Sequence, residues 1–213
     1  MRLSFLLHCQ IGANMLHIAR VRMLNSNQLR KVDISGAIAE LEKGKDLLHN
    51  SIRIARRVLD NLTKQKGNLK SYSAPGETRM DGSAALVILL QSLDALGLAE
   101  INKRELQELR EHLPVAEAEN ALFQCLSAYK EFETKRSISD SPAVKAEYLS
   151  CVKHLSSLII DTNTESTQRF KGVTLKELED EIKRLESELH HRKRKKLSYK
   201  FFLMGNVARS SGC

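Results

Sequence analysis

The sequence predicts an all-α protein, a helical bundle with a C-terminal coiled-coil helix and a basic tail. Apolar residues recur every three or four positions over several stretches, which keeps one face of an α-helix apolar. Aromatic residues make up 5% of the 213 residues, Trp is missing, and Gly and Pro number 10 and 3. No convincing alternating strand pattern is bounded by turns. Together these observations favour six or seven helices over a sandwich or barrel.

The most regular stretch runs from Asp33 to Leu69, where apolar spacing alternates four and three without a slip. Its positions are Ile34, Ile38, Leu41, Lys45, Leu48, Ile52, Ala55, Leu59, Leu62, Lys66 and Leu69. Two interpretations compete, a two-stranded coiled coil and a helix packed among several others. Leu47 and Ile54 widen the apolar face, and the flanking positions are mostly uncharged, which favours the bundle. Lys45 and Lys66 are expected at its rim, with their amines in water.

Residues 1–32 form a basic N-terminal segment with five cations and no acidic residue. The cations are Arg2, Arg20, Arg22, Arg30 and Lys31. Aliphatic residues between them indicate a helix. A mitochondrial presequence fits this composition, and the first helix of the bundle is the plainer alternative. No uninterrupted apolar run reaches the roughly 18 to 20 residues that span a bilayer.

The predicted bundle covers 33–161, with a polar linker at 67–82. Ser83 is expected to cap a helix that ends at Gly97, and Asn102 to cap the next one. A further helix is expected at about 115–135. Ser141 followed by Pro142 predicts the start of another helix that ends near residue 161, because a capping residue precedes Pro at the first helical position. Residues 162–172 are predicted to form a second linker.

The final helix, at 173–196, has the clearest start signal. Thr174 and Glu177 match the capping box, in which side chain and backbone bond reciprocally. Its a and d positions form the predicted partner-binding stripe: Leu175, Leu178, Ile182, Leu185 and Leu189. The flanking positions are charged, which is typical of a coiled coil with a second copy or another protein. A last bundle helix that folds back on the body is an equally weighted alternative.

A basic and aromatic tail, 197–213, follows a run of cations. The predicted site for nucleic acid or an anionic surface comprises Arg192, Lys193, Arg194, Lys195, Lys196 and Lys200. Such a cluster can bind phosphates, act as a nuclear-import signal or contact an anionic membrane, and a solvated basic tail that completes the coil is the plainer alternative. Of the net charge of +8, the N-terminal segment supplies +5 and residues 190–213 supply +7, so the body between them is mildly acidic.

The motifs of common enzymes are missing from the sequence. The stretch that starts at Asp161 resembles a calcium loop but lacks its Gly and final Glu, and His190 and His191 lack further ligands at zinc spacing. There is no phosphate-binding Gly loop, H-E-x-x-H or nucleophile elbow. We therefore expect no catalytic site, cofactor, metal or small-molecule substrate.

The sequence thus indicates a non-enzymatic helical adaptor or assembly subunit that binds protein partners, or itself, through its helices. A nucleic-acid-binding protein that uses the basic C-terminal segment is the alternative, and peripheral association with anionic membranes is third. Four cysteines without a C-x-x-C pair are typical of a reducing compartment, and Cys125 and Cys151 are expected in the core. An intracellular location follows, nuclear or cytoplasmic unless residues 1–32 are a mitochondrial presequence.

Overall fold

The computed structural model describes residues 2–65, 77–107, 116–134, 136–161 and 172–191. They form an all-α bundle of six packed helices, with a further helical segment at 175–191 that we call the C-terminal helix. The six are α1 (Arg2–Leu29), α2 (Ile34–Gln65), α3 (Glu77–Gln107), α4 (Ala116–Glu133), α5 (Arg136–Ser139) and α6 (Pro142–Asp161). The predicted fold class is confirmed at this level.

The first two helices form a helical hairpin with a four-residue connection. The amide of Asp33 donates to the carbonyl of Leu29 at 2.8 Å and ends α1. The Asp33 carboxylate accepts from the amide of Gly36 at 2.8 Å, so it caps α2. The predicted helix from residue 33 is confirmed as a bundle helix up to residue 65, and its last predicted residues lie outside the described ranges.

The third helix is the centre of the bundle and packs against α1, α2, α4, α5 and α6. Most of its length is buried because apolar residues surround it on nearly all sides. Its fully buried leucines are Leu86, Leu89, Leu90 and Leu93. The prediction that one helix starts at residue 83 and ends at Gly97, with a second starting at Asn102, is wrong. Part of the predicted linker, 77–82, is also helical, and the rest of it lies outside the described residues.

Close contacts between helices explain these errors. A Cβ added at Gly97 would lie 2.6 Å from Cγ of Leu122, so this glycine lets α4 approach α3 and does not end a helix. Likewise, a Cβ at Gly82 would lie 2.9 Å from a side-chain carbon of Ile138 on α5. The Ser83 hydroxyl donates to the backbone carbonyl of Ile138 at 2.9 Å. Ser83 and Gly97, which suggested the start and the end of a helix, therefore contact neighbouring helices instead.

The fourth and sixth helices complete the main core. The start of α6 is confirmed, with Pro142 as its first residue and the Lys145 amide donating to the Ser141 carbonyl at 3.1 Å. Tyr129 of α4 stacks on Tyr148 of α6, with ring centroids 3.7 Å apart. Both rings are buried, and burial raises the pKa of each phenol.

The C-terminal helix begins with the predicted capping box. The Thr174 amide donates to the Glu177 carboxylate at 2.8 Å, and the Glu177 amide donates to the Thr174 hydroxyl at 3.2 Å. Leu178 and Leu185 are buried in the same core cluster as the two stacked tyrosines. This helix therefore folds back on the bundle, which was the alternative to a coiled coil.

Residues 1–32 contribute the first helix of the bundle, one of the two alternatives given by the sequence. Lys45 differs from its prediction. Its side chain is only 11% exposed, and its ammonium group pairs with Glu100 of α3 and with Glu42. Burial alone would lower the pKa of Lys45, but the hydrogen bonds and negative charges of Glu100 and Glu42 together outweigh burial and raise that pKa. The amine is thus held between helices and not in bulk water.

Candidate interaction surface

The outward face of α1 carries aliphatic side chains that no described residue covers. Leu7 is 59% exposed and Ile18 is 46% exposed. Seven exposed positions follow one another at intervals of four and three residues along this face, and we call them the outer stripe. They are Leu7, Ile11, Asn14, Ile18, Val21, Asn25 and Gln28. Leu6 and Leu24 flank it and are also exposed.

The opposite face of α1 is closed against the bundle. Leu16 and Ala19 are buried in a cluster that includes residues of α2 and α3. Gly12 is also buried, and its carbonyl accepts a 2.9 Å bond from the Ser51 hydroxyl of α2. Ser51 in turn bonds to the Ser92 hydroxyl of α3 at 2.9 Å. This helix is therefore seated by packing and by buried hydrogen bonds, which leaves the outer stripe as its second apolar face.

Ion pairs fix the C-terminal half of α1. Arg22 contacts Glu40 of α2 at 2.9 Å, and Arg30 contacts Glu105 of α3 at 2.8 Å. Hydrogen bonding to Lys43, together with Arg22, lowers the pKa of Glu40. No acidic residue occurs in the first 32 residues. The charge near the outer stripe is thus positive, and part of it is neutralised by α2 and α3.

An open groove of about 480 Å³ lies beside the end of the outer stripe, where α1 meets α2. Asn25 and Gln28 belong to both the groove and the stripe. The full lining is Asn25, Gln28, Leu29, Gly36, Ala39, Glu40 and Lys43. Its one acid, Glu40, is already paired with Lys43 and Arg22. This surface offers amides and aliphatic carbon to a partner and no set of convergent reactive groups.

Ionisable groups inside the bundle hold helices together. His154 of α6 bonds through Nδ1 to Oδ1 of Asp94 on α3 at 2.7 Å, which raises the pKa of His154. Cys125 and Cys151 are buried, as predicted, and each thiol lies 3.8 Å from the carbonyl of Leu90. Hydrogen bonding to Cys125 and burial raise the pKa of the Cys151 thiol. The two thiols are buried and His154 is partly exposed, and each of these groups already has a partner.

Two broader tests apply to the described ranges only. Among the residues from 2 to 191 that the structure describes, no group of three or more His, Cys, Asp or Glu side chains could hold a metal ion. In the same part of the chain, Gly82–Gln107 is the one helix long and apolar enough to cross a membrane. Of the 18-residue window that meets this test, 61% is buried inside the bundle, as expected for the core helix α3.

The predicted partner-binding stripe of the C-terminal helix lies mostly against the chain itself. Leu178 and Leu185 are buried, and Leu175 and Ile182 are half-buried against the same core. Leu189 is also half-buried. Two ion pairs tie this helix to α6, from Lys145 to Glu188 at 2.7 Å and from Lys153 to Glu186 at 2.6 Å. Partner binding by these five residues stays a prediction.

The predicted basic site lies outside the described residues, since Arg192, Lys193, Arg194, Lys195, Lys196 and Lys200 all follow residue 191. The structure instead exposes the outer stripe of α1, which was not predicted from the sequence to be an interaction surface. The four-three spacing of residues 7 to 28 is the pattern in the sequence that could have predicted it. Amides at Asn14, Asn25 and Gln28 interrupt the apolar pattern, and a second set of apolar residues on the inner face obscures it.

Comparisons of this chain with protein-family models, with curated proteins and with solved structures found no match.

Proposed function

We propose that this protein is a non-enzymatic assembly subunit whose first helix presents the outer stripe to a protein partner. The exposed aliphatic side chains on a helix that is otherwise firmly seated carry this proposal. A contiguous exposed apolar patch is typical of an interaction site. Leu7, Ile18 and Val21 lie on the same face, so their exposure is one continuous feature of α1.

The chemistry of the outer stripe favours protein over lipid. Asn14, Asn25 and Gln28 are exposed within it, and Gln10 bonds to Asn14 at 2.9 Å beside it. An amide that enters hydrocarbon without a hydrogen-bond partner costs several kcal/mol, roughly 2–7. A protein surface can supply donors and acceptors at those positions. The mixture of aliphatic and amide side chains therefore matches a protein interface better than a membrane.

The ionisable groups of the described residues also favour a binding role. An active site requires reactive side chains that converge on a cavity a substrate can enter. The histidine with a raised pKa is bonded to Asp94, and the buried thiols face the main chain of α3. Among the described residues, the raised pKa values of His154 and Cys151 therefore follow from contacts that hold helices together.

A coiled coil of the C-terminal helix is a second proposed mode of assembly. The half-buried residues Leu175, Ile182 and Leu189 would remain as its surface while Leu178 and Leu185 stay in the core. This surface is smaller than the outer stripe. Its charged flanks, with Glu181 in contact with Arg184, would set the orientation of a partner helix.

Site-specific photo-crosslinking in cells tests the proposal. A photoreactive amino acid in place of Ile18 should yield covalent adducts of defined mass, which mass spectrometry identifies. The same group in place of Asn27, an exposed position of α1 outside the outer stripe, is the matched control. If Ile18 gives no more adducts than Asn27, the outer stripe is not a protein-binding surface.

The second candidate function is nucleic-acid binding through the basic cluster at 192–196 and Lys200, because five consecutive cations can replace the counterions of a phosphate backbone. Binding to a labelled oligonucleotide should weaken steeply with salt. Neutral substitutions of Lys193, Arg194, Lys195 and Lys196 should abolish it. Salt-independent binding would exclude this candidate, and flotation with anionic vesicles tests the third candidate, membrane association.

A further inference from the structure

The outer stripe has the register of a coiled coil. Its four-three spacing is unbroken over three heptads, a length of roughly 33 Å at 1.5 Å per residue. Ile11, Ile18 and Asn25 occupy the a positions. The d positions are Leu7, Asn14, Val21 and Gln28. Isoleucine at a, with one asparagine at an a position, is a preference of parallel two-stranded coiled coils; of the d positions, Leu7 matches the preferred leucine and Asn14 and Gln28 do not.

We propose that α1 pairs in parallel and in register with α1 of a second copy of this chain, through the outer stripe. This inference rests on the proposed function and names the partner. The resulting dimer has twofold symmetry, with the axis along α1, so it closes at two copies. Each bundle packs on the inner face of its own α1, behind the paired helices.

The pattern of side chains along the outer stripe favours this orientation of two copies over an antiparallel one. In a parallel pair in register, Asn14 faces Asn14 and Ile18 faces Ile18 of the second copy. Every amide then meets an amide, and every aliphatic side chain meets an aliphatic one. A buried amide that faces an apolar side chain loses its hydrogen bonds, which is unfavourable. Self-pairing in register avoids that loss at the three amide positions, Asn14, Asn25 and Gln28.

Antiparallel pairing does not achieve the same match. In one antiparallel register Asn14 faces Ile18 and Leu7 faces Asn25 of the second copy. In the next register the amides of Asn14 and Asn25 meet, but Ile11 faces Gln28. Each alternative therefore leaves amides opposite aliphatic carbon, so the parallel pair is the more favourable one.

The flanking positions permit the parallel pair. Across it, Leu24 meets Leu29 and Gln10 meets Met15 of the second copy, neither of which is a like-charge pair. His17 meets Arg22, whose guanidinium is already paired with Glu40 at 2.9 Å. Leu24 is 61% exposed in the single chain, so its contact with Leu29 would add apolar burial.

The charge of this chain also argues against its own tail as the occupant. Residues 197–207 contain aromatic and aliphatic side chains, but the tail has Lys200 and Arg209 and no acid. The first 32 residues likewise have cations and no acid. Two basic segments repel each other, so the tail is a poor match for α1. Two α1 helices are also both basic, but in each copy Arg22 is paired with Glu40 of α2 and Arg30 with Glu105 of α3, whereas the tail contains no acid.

Pairing requires little ordering of the chain. A short isolated helix is only marginally stable, and a free coiled-coil peptide loses conformational freedom when it folds and pairs. Here α1 is already helical and is held by Leu16, Ala19 and the Ser51–Gly12 hydrogen bond. A preorganised surface binds more tightly because the conformational entropy of α1 is already lost when the bundle folds.

The test uses the purified full chain with Cys9→Ala and Cys213→Ser, which leaves only the buried Cys125 and Cys151. Adding Val21→Cys should give a disulfide-linked dimer rapidly on mild oxidation, because a d position faces itself in a parallel pair. Asn27→Cys is the matched control and should stay monomeric on a non-reducing gel. Sedimentation of the unmodified protein should give twice the 24.1 kDa of one chain.

A charge variant completes the test. Ile18→Glu should raise the dimer dissociation constant roughly a hundredfold or more, because two carboxylates would face each other across the pair. Asn27→Glu, which adds the same charge outside the outer stripe, should leave it unchanged. Circular dichroism should show the same helix content for both variants.

Three results would overturn the inference: a monomer at the highest soluble concentration, equal crosslinking at Val21→Cys and Asn27→Cys, or a dimer unaffected by Ile18→Glu. If the purified chain is monomeric while the photoreactive group at Ile18 captures a different protein in cells, the proposed function stands and the second copy is excluded. If neither a dimer nor an adduct forms, both proposals fail.

Discussion

The first helix and the C-terminal helix carry similar apolar patterns, yet they differ in what those residues contact. In the C-terminal helix Leu178 and Leu185 lie in the core, and the half-buried Leu175 and Ile182 pack against it. In α1 the inner face is closed, and the outer stripe faces solvent. The comparison shows that periodicity predicts how much a helix must bury. It does not predict whether the contact comes from the same chain.

The two helices also differ in how charge is used. The C-terminal helix has its own acids, and Glu186 and Glu188 pair with lysines of α6. The first helix has none, so Arg22 and Arg30 pair with acids of α2 and α3. These pairs lie at the sides of α1 and leave the outer stripe uncovered. Four experiments test how α1 and the C-terminal helix are each held by the bundle.

The largest expected effect comes from truncating one leucine of the C-terminal helix. Leu185→Ala should lower the free energy of unfolding by about 3 kcal/mol, because a fully buried leucine leaves a cavity. Ile18→Ala should change it by less than about 0.5 kcal/mol at low protein concentration, because Ile18 is exposed. Urea denaturation measures both. Equal losses would mean that the two helices do not differ as described.

The next effect concerns the ion pairs of the C-terminal helix. Lys145 is 9% exposed and contacts both Glu188 and Asp140, whereas Lys153 is 49% exposed. Lys145→Met should cost about 2 kcal/mol because a charge-assisted bond in a desolvated site is lost. Lys153→Met, the matched control, should cost under about 1 kcal/mol because water screens an exposed pair. A larger loss for Lys153→Met would contradict the burial seen here.

One buried serine on α2 and one on α1 should respond in opposite directions. Ser51→Ala should lower the free energy of unfolding by about 1–2 kcal/mol, because the Gly12 carbonyl and the Ser92 hydroxyl lose a partner. Ser26 has a buried hydroxyl without a hydrogen-bond partner among the described residues. Ser26→Ala should therefore raise stability by about 1 kcal/mol. Thermal melts of both variants test this, and destabilisation by Ser26→Ala would reveal a missed partner.

Acid should loosen the C-terminal helix more than α1, and this is the smallest effect. Bonding to Lys145 lowers the pKa of Glu188, and bonding to Lys153 lowers the pKa of Glu186, both from 4.5. A lowered pKa in the folded state means that each contribution is present above pH 4.5 and is lost as pH falls through the folded value. Among the described acids that pair with α1, Glu40 of α2 has a lowered pKa.

Hydrogen exchange between pH 6 and pH 3 measures this difference, since amides of residues 178–189 should lose protection before those of residues 12–23. The variant Glu186→Gln with Glu188→Gln lacks the titrating groups. Its C-terminal helix should be less protected at pH 6 and should change little on acidification. Equal loss of protection in both helices of the native chain would contradict the assignment of these ion pairs.

Local signals in the sequence predicted the starts of several helices correctly. Ser141 with Pro142, and Thr174 with Glu177, each begin a helix as expected, and the start of the four-three spacing at Asp33 coincides with the start of α2. Such signals depend on bonds within four residues, so they do not need the rest of the fold. Ser83 and Gly97 misled the prediction because their roles depend on Ile138 and Leu122, more than 20 residues away. The same reason explains Lys45, whose main partner is Glu100 on another helix.

The sequence by itself determined that this chain is helical, where several helices begin, and that each helix needs an apolar environment on at least one face, because these properties depend on residues a few positions apart. Only the tertiary structure decided which faces are covered. It buried Leu178 and Leu185 of the C-terminal helix and left Ile11, Ile18 and Val21 of α1 exposed. Coverage depends on the packing of distant helices around α3, and no local pattern contains that information.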